Sequence, residues 1–338
     1  MGMFTSFIGN INMYTGLLSV YLGAACLLWV SCPNKLRSIW YYVNVWVIFI
    51  ALITGRSDNA YLSLAAAFTF IPIYAFRTRQ GIRRYVVLLA TFLTSLKVIE
   101  WISITYADRV YRINSLYNSL VSFSKLILLI KVLWIIAIIL YLIDFISKKA
   151  DATVSPWFSR IWIGLIVIGF AAFLYVLYDV NIAGNADQYG SAKSFLLFND
   201  SWGTHRGVIW RLAIEDYQDF TPLHKLFGYG PDTFGLVTYY HNMDIMSNVY
   251  HQIFDSAHNE YLQFFITVGP IGLLSYLAIF VTAFIRIIKK GCQNPYVIAA
   301  MFGVLCYSAQ ATVNIGTPIT IPIMFLFLSM ALAGCREA

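Results

Sequence analysis

Charge is scarce in this sequence. Only 12% of its 338 residues are Asp, Glu, Lys or Arg, against about a quarter in a soluble globular domain, and that deficit points to lipid as the surrounding medium. Repetition is lacking too. No internal repeat, inverted or parallel, is found, which weighs against the secondary transporters built from such repeats. There is no Gly-x-Ser-x-Gly segment, which disfavours a serine protease built on that turn. No basic stretch precedes the first apolar run, Met13 to Ser31, so it reads as a spanning helix and not as a cleaved signal. Cysteine is confined to Cys26, Cys32, Cys292, Cys306 and Cys335. In the topology below none of these lies in the large outer loop, so a disulfide framework is not expected.

Apolar residues make up 59% of the chain and aromatics 17%, with 23 Tyr and 9 Trp. Such a supply of amphipathic rings suits a protein with many helix ends at membrane interfaces. A crossing helix needs about 20 apolar residues. Runs near that length are centred in 13–31, 38–54, 59–76, 85–104, 126–146, 161–180, 264–288, 295–314 and 316–333, which predicts nine spans. The third and ninth are short and carry Pro72, and Pro318 with Pro322.

The net charge of +7 does not indicate a nucleic-acid partner, because the basic residues sit in short loops between apolar runs. Lys35, Arg37, Arg77, Arg79, Arg83, Arg84, Lys148, Lys149, Arg160, Arg286, Lys289, Lys290 and Arg336 all fall on one side of the nine-span layout. The positive-inside rule makes that side cytoplasmic, with the N-terminus outside and the C-terminus inside. The expected organisation is N-terminal helices over 1–180, a large outer loop over 181–257, and C-terminal helices over 258–338. The loop carries eight acids and only four bases, and all five histidines lie in it or at its end.

Lys97, Glu100, Lys125 and Lys131 fall near the outer ends of the fourth and fifth spans. Charges at that depth usually face a cavity or a partner, and their clustering favours a polar cavity. Singly, a Lys97–Glu100 pair at i, i+3 and snorkelling lysines account for them equally well. Within the loop, Thr204 is placed to cap a helix on which Arg206, Trp210, Ala213 and Tyr217 share one face. A cation in the first turn opposes the helix dipole and becomes favourable when an anion binds there as well. An ordinary surface helix with an Arg211–Glu215 pair fits the same spacing.

The loop ends at His258-Asn259, and a helix from that point would align Leu262, Phe265, Gly269 and Gly272, with Pro270 bending it. Histidine at such a boundary suits a general base near neutral pH. His251, Asp255 and His258 also have a spacing that would place three metal ligands on one helical face.

His258-Asn259 followed after nine residues by Gly269-x-x-Gly272 resembles the signature of the O-antigen ligase and polysaccharide polymerase superfamily. The Arg206-to-Trp210 segment and the Phe227-to-Phe234 segment are similar to the same family's outer loop, so the likeness covers residues 204–272. The resemblance implies an all-α, polytopic membrane-embedded glycosyltransferase of the inverting kind. Its donor would be a glycan on undecaprenyl pyrophosphate, and its acceptor hydroxyl would belong to a glycan, a lipid or a protein. Its site would face the outside of the cytoplasmic membrane, with no metal, cofactor or nucleotide. It implies His258 as the base, and Arg206 with one upstream arginine as the pyrophosphate ligands.

The family's upstream Arg-x-x-x-Leu fits both Arg84 to Leu88 and Arg112 to Leu116. Arg84 lies on the cytoplasmic side, so the role goes to Arg112. Substrate contacts are expected from Lys97, Lys125 and Lys131 of the polar cluster, and from Arg211, Asn259 and Tyr229 of the resembling segments. Members usually have more spans, which leads us to expect that N-terminal helices are missing here. A lipid-linked oligosaccharide flippase would share the outer-leaflet cations, but would not need a 77-residue loop or a histidine base.

Overall fold

A computed structural model describes residues 6–110, 113, 115–147, 152–291 and 294–335. Among them the chain is helical, with one isolated bridge between Thr78 and Thr153 and no strand. In chain order the helices are α1 (Ile11–Ser31), α2 (Lys35–Thr54), α3 (Ala60–Ala75), α4 (Arg79–Thr105), α5 (Ser115–Val121), α6 (Leu126–Ser147) and α7 (Trp157–Asn181). Then follow α8 (Lys193–Leu196), α9 (Trp202–Gln218), α10 (Pro222–Phe227), α11 (Phe234–Asp244), α12 (Glu260–Thr267), α13 (Gly269–Gly291), α14 (Pro295–Gln310) and α15 (Thr320–Gly334).

Each of the nine apolar runs contains a helix, the seventh being divided between α12 and α13. Seven are long and apolar enough to cross a membrane, while α3 and α15 are shorter. The most apolar stretch of α7 has none of its residues buried in the protein, a surface suited to lipid. The protein is therefore a helical membrane protein.

The chain forms two compact units. The first comprises residues 1–163, 283–310 and 317–338, and the second 164–282 and 311–316. The segment expected over 181–257 lies wholly in the second unit, which extends beyond it on both sides.

In the first unit α1 is the central helix. It meets α14 backbone to backbone: a Cβ added to Gly23 would stand 2.1 Å from the Phe302 carbonyl oxygen, and one on Gly303 would stand 2.6 Å from that of Val20. Small residues are what such an approach requires. Phe49, Phe68 and Phe92 pack together from α2, α3 and α4, with centroids 5.3–6.1 Å apart.

The fourth helix starts earlier than the apolar pattern suggests, at Arg79 instead of 85. Thr78 caps it, accepting from the Gly81 N–H at 3.0 Å. Its basic first turns are tolerated because each arginine has partners. Arg83 donates to Asp144 of α6 at 2.5 Å, and Arg79 lies 3.3 Å from the same carboxylate. Arg84 donates to the carbonyls of Trp29 and Cys32 at 2.8 and 2.5 Å, satisfying the end of α1. Arg84 is thus a buried structural clasp. Cys26, Cys32, Cys306 and Cys335 are buried free thiols, and Cys292 lies outside the described residues.

The second unit has its own core. Val208, Ile209, Leu212 and Ala213 of α9 pack with Phe234 and Val237 of α11, and with Met246, Phe254, Ala257 and Ile266. Two polar ties lock this arrangement. Asn242 donates to both carboxylate oxygens of buried Asp216 at 2.8 and 3.0 Å, and the Thr238 hydroxyl donates to the Phe254 carbonyl at 2.8 Å.

Candidate functional site

The second unit brings together the two residues that the sequence singles out for chemistry, Arg206 and His258. Their positions follow from unusual backbone at the start of α9 and just before α12. Gly203, Thr204 and His205 are all left-handed, with φ of 60°, 60° and 70°. Thr204 therefore does not cap the helix in the expected way, since a capping residue adopts extended backbone. A three-residue left-handed turn delivers the chain instead, and regular helix begins at Arg206. The Arg206 guanidinium folds back to donate to the Gly203 carbonyl at 2.5 Å. Left-handed backbone at Thr204 and His205 costs on the order of 1–3 kcal/mol per residue, a strain that clusters at functional sites.

His258 is held from both sides. The preceding residue, Ala257, is buried; its carbonyl accepts from Trp210 Nε1 at 2.8 Å, and its N–H donates to Gln263 Oε1 at 2.8 Å. The following residue, Asn259, caps α12, its side-chain oxygen accepting from the N–H groups of Tyr261 and Leu262 at 3.0 Å each. Between these two anchors His258 is itself left-handed, at φ 46°. Its Nδ1 is buried with no hydrogen-bond partner among the described residues.

Burial lowers the basicity of His258, the neighbouring Arg206 charge lowers it further, and Asp255 partly opposes both. Histidine ordinarily titrates near 6.5, so His258 is a neutral imidazole at neutral pH with a lone pair to offer. A fixed cation beside a neutral base is an arrangement that can bind an anionic leaving group and accept a proton from an alcohol.

The shared face expected on α9 is present. Trp210 reaches Ala257, Ala213 is buried, and Tyr217 packs on Phe265 of α12 with centroids 4.5 Å apart. The two glycine-containing segments also meet. A Cβ on Gly269 would stand 2.1 Å from the Leu226 carbonyl oxygen, and one on Gly228 would stand 2.2 Å from that of Thr267. The Gly230 N–H donates to the Thr267 carbonyl at 2.8 Å. However, no single helix runs from His258 to Gly272. Val268 closes α12, and Gly269, at φ 70°, turns the chain as it opens α13, with Pro270 in the first turn. Leu262 and Phe265 therefore belong to one helix, and Gly269 and Gly272 to the next.

Other expected contacts fall differently. The Arg211 fork is held by Asp200, at 3.0 and 2.8 Å, and by Glu215, at 2.9 and 3.1 Å. Tyr229 stacks on His224 with centroids 3.9 Å apart. In the first unit Lys97 pairs with Glu100, while Lys125 and Lys131 are exposed on or beside α6. Arg112 lies outside the described residues. Residues 251–258 are not helical, so His251, Asp255 and His258 have no common helical face. Among the described residues no three His, Cys, Asp or Glu side chains gather as a metal-binding group.

Sequence reasoning passed over the residues that fix His258. Trp210 was visible on the correct helical face. Gln263 gave no signal, because its role depends on where the Ala257 N–H points. Glu260, buried in the first turn of α12, accepts from the Tyr276 hydroxyl of α13 and joins the two helices across their break. Compared with protein-family models, with curated proteins and with solved structures, the chain matches none, so its functional reading rests on this site.

Proposed function

We propose that the protein is an inverting glycosyltransferase working at the outer face of the cytoplasmic membrane. It transfers a glycan from an undecaprenyl-pyrophosphate carrier to a hydroxyl acceptor, as a surface-polysaccharide polymerase or an O-antigen ligase. The observation that carries this reading is the juxtaposition of neutral His258 with Arg206 in one unit of a membrane protein. The motif resemblance supplies the substrate class, and the distribution of basic residues supplies the orientation.

In the proposed reaction His258 accepts the proton of the acceptor hydroxyl. The oxygen attacks the anomeric carbon from the face opposite the carrier, forming the new glycosidic bond and inverting configuration. The bond to the pyrophosphate oxygen breaks, and its electron pair leaves with the lipid. Arg206 neutralises the charge that grows on the pyrophosphate, so the stabilisation is larger in the transition state than in the ground state; the motif resemblance alone gives Arg112 the same role. By sequence alone, substrate contacts are assigned to Lys97, Lys125 and Lys131 of the polar cluster and to Arg211, Asn259 and Tyr229 of the resembling segments.

The test is transfer by purified protein given an undecaprenyl-pyrophosphate oligosaccharide with candidate acceptors. Wild type should form a new glycosidic linkage, and His258→Ala should lose turnover by about 10²–10⁴-fold, the usual contribution of a positioned base. Arg206→Lys should also be severe, since an ammonium cannot reproduce the guanidinium fork. Near-wild-type turnover of His258→Ala would remove the base assignment, and movement of glycan across the bilayer with no new linkage would replace the transferase with a transporter.

A further inference from the structure

The second unit contains a cleft of about 600 Å³ beside the left-handed turn, walled by residues 190–194 and 197–203. Its volume falls within the roughly 300–1,000 Å³ typical of small-ligand sites. We propose that this cleft is a saccharide subsite that holds the glycan being transferred. The proposal rests on the transferase reading above and adds to it where the sugar chain lies.

Three features carry the proposal. First, the lining chemistry matches a polyol. Ser191, Ser194, Ser201 and Asn199 line it together with Trp202; the Ser194 hydroxyl donates to the Ser191 carbonyl at 3.0 Å and the Ser201 hydroxyl to Asn199 Oδ1 at 2.9 Å, which leaves both hydroxyl oxygens to accept from a sugar. The Trp202 Nε1 donates to the Phe195 carbonyl at 3.0 Å and its ring packs against Phe198 and Trp210, with centroids 4.7 and 5.1 Å away; the half-buried ring that lines the cleft thus offers it apolar surface, suited to the C–H face of a sugar. Lys193 is the cleft's one cation, and its ammonium is tied to Asp187 at 2.6 Å. That neutralisation favours a sugar over a free anion.

Second, the wall is built and anchored. Asn181, at the end of α7, donates to the Leu196 carbonyl at 2.9 Å and accepts from the Phe198 N–H at 2.8 Å. Asp179 accepts from Asn185 and from the Tyr189 hydroxyl at 2.8 and 2.9 Å. Preorganised walls lower the ordering cost of binding.

Third, the cleft is continuous with the catalytic turn. Gly203 lines it and also accepts from Arg206. The loop at Asn199 lies so close to the first turn of α9 that a Cβ on Gly207 would stand 1.8 Å from the Asn199 carbonyl oxygen. A glycan whose reducing end sits at Arg206 therefore has this cleft beside it.

The experiment uses the full chain and undecaprenyl-pyrophosphate glycans extracted from cells that make it. Ser194→Trp places an indole into the cleft from an exposed position and leaves the core of the unit untouched. The expected result is a KM for the donor raised about tenfold or more with kcat nearly unchanged, the signature of lost uniform binding. Trp202→Ala should shift KM the same way, and Trp202→Phe should recover part of it. Unchanged KM in Ser194→Trp and Trp202→Ala, with an active wild type, overturns the subsite.

A wild type that transfers nothing overturns the transferase reading instead. The subsite is then read directly, by saturation-transfer NMR with the oligosaccharide released from the carrier by mild acid. Signals present with wild type and lost with Ser194→Trp support the cleft. Equal signals, or none with either protein, overturn it.

Discussion

Gly269→Ala tests the junction on which the site is mounted. Two costs add at this position. The backbone is left-handed, at φ 70°, which costs any residue with a Cβ about 1–2 kcal/mol. The new methyl would also stand 2.1 Å from the Leu226 oxygen, 2.5 Å from its carbon and 2.7 Å from the Phe227 nitrogen. All three atoms are backbone, so no side chain can rotate away. Relief needs α10 and the break between α12 and α13 to part, a form of overpacking that costs about 1–3 kcal/mol. The sum is about 2–5 kcal/mol, a large fraction of the stability of a typical domain.

The assay is thermal unfolding in detergent followed by size-exclusion profile, run beside Gly272→Ala and Gly164→Ala. A Cβ at Gly272 meets only the Val268 side chain, at 2.6 Å, and one at Gly164 meets nothing within 4 Å. The expected order of midpoints is Gly164→Ala close to wild type, Gly272→Ala slightly lower, and Gly269→Ala lowest by a clear margin. A Gly269→Ala protein that melts with wild type would refute the close approach, and with it the mounting of His258 on a rigid corner.

Three further outcomes are expected. Because the folded protein resists protonating His258 while an unfolded histidine titrates near 6.5, the group's contribution to stability is present above that value. It is lost as pH falls through the lowered folded value, where His258 finally takes up its proton. Transfer should therefore persist to lower pH than free imidazole would allow. Arg206→Gln should move the His258 titration upward when followed by histidine NMR, and an unmoved titration would separate the two residues. Trp210→Phe leaves the Ala257 carbonyl without its indole donor, which costs about 1–3 kcal/mol when the acceptor stays buried; turnover should fall with little change in donor KM, and a parallel rise in KM would point to a substrate role for the indole.

The nine helices were legible because water-soluble chains seldom carry apolar runs of this length, and α6 and α7 agree with their runs to within a few residues. The start of α4 was not legible. Arg79, Arg83 and Arg84 look like a loop until Asp144, 61 residues beyond Arg83, and the carbonyls of Trp29 and Cys32 are known to receive them. The same limit applies at the site. Spacing showed the shared face of α9 and a histidine at a helix boundary, because both are local. It could not show the left-handed turn before Arg206, since Thr and His seldom adopt that backbone. Nor could it show that Gly269 serves a neighbouring segment and not its own helix, because that depends on where Leu226 lies.

The meeting of α1 with α14 has a consequence for biogenesis. Gly23 and Phe302 touch through their backbones, yet almost the whole chain separates them. At roughly 5–20 residues per second of synthesis, α1 waits about 15–60 s in the bilayer before its partner is made. Arg84 arrives much sooner, only 55 residues after Trp29, and can clasp the end of α1 during that interval. The ribosome therefore delivers early partners first and α14 much later, and a nascent chain released before α14 emerges would leave the face of α1 around Gly23 uncovered for the quality-control proteases of the membrane.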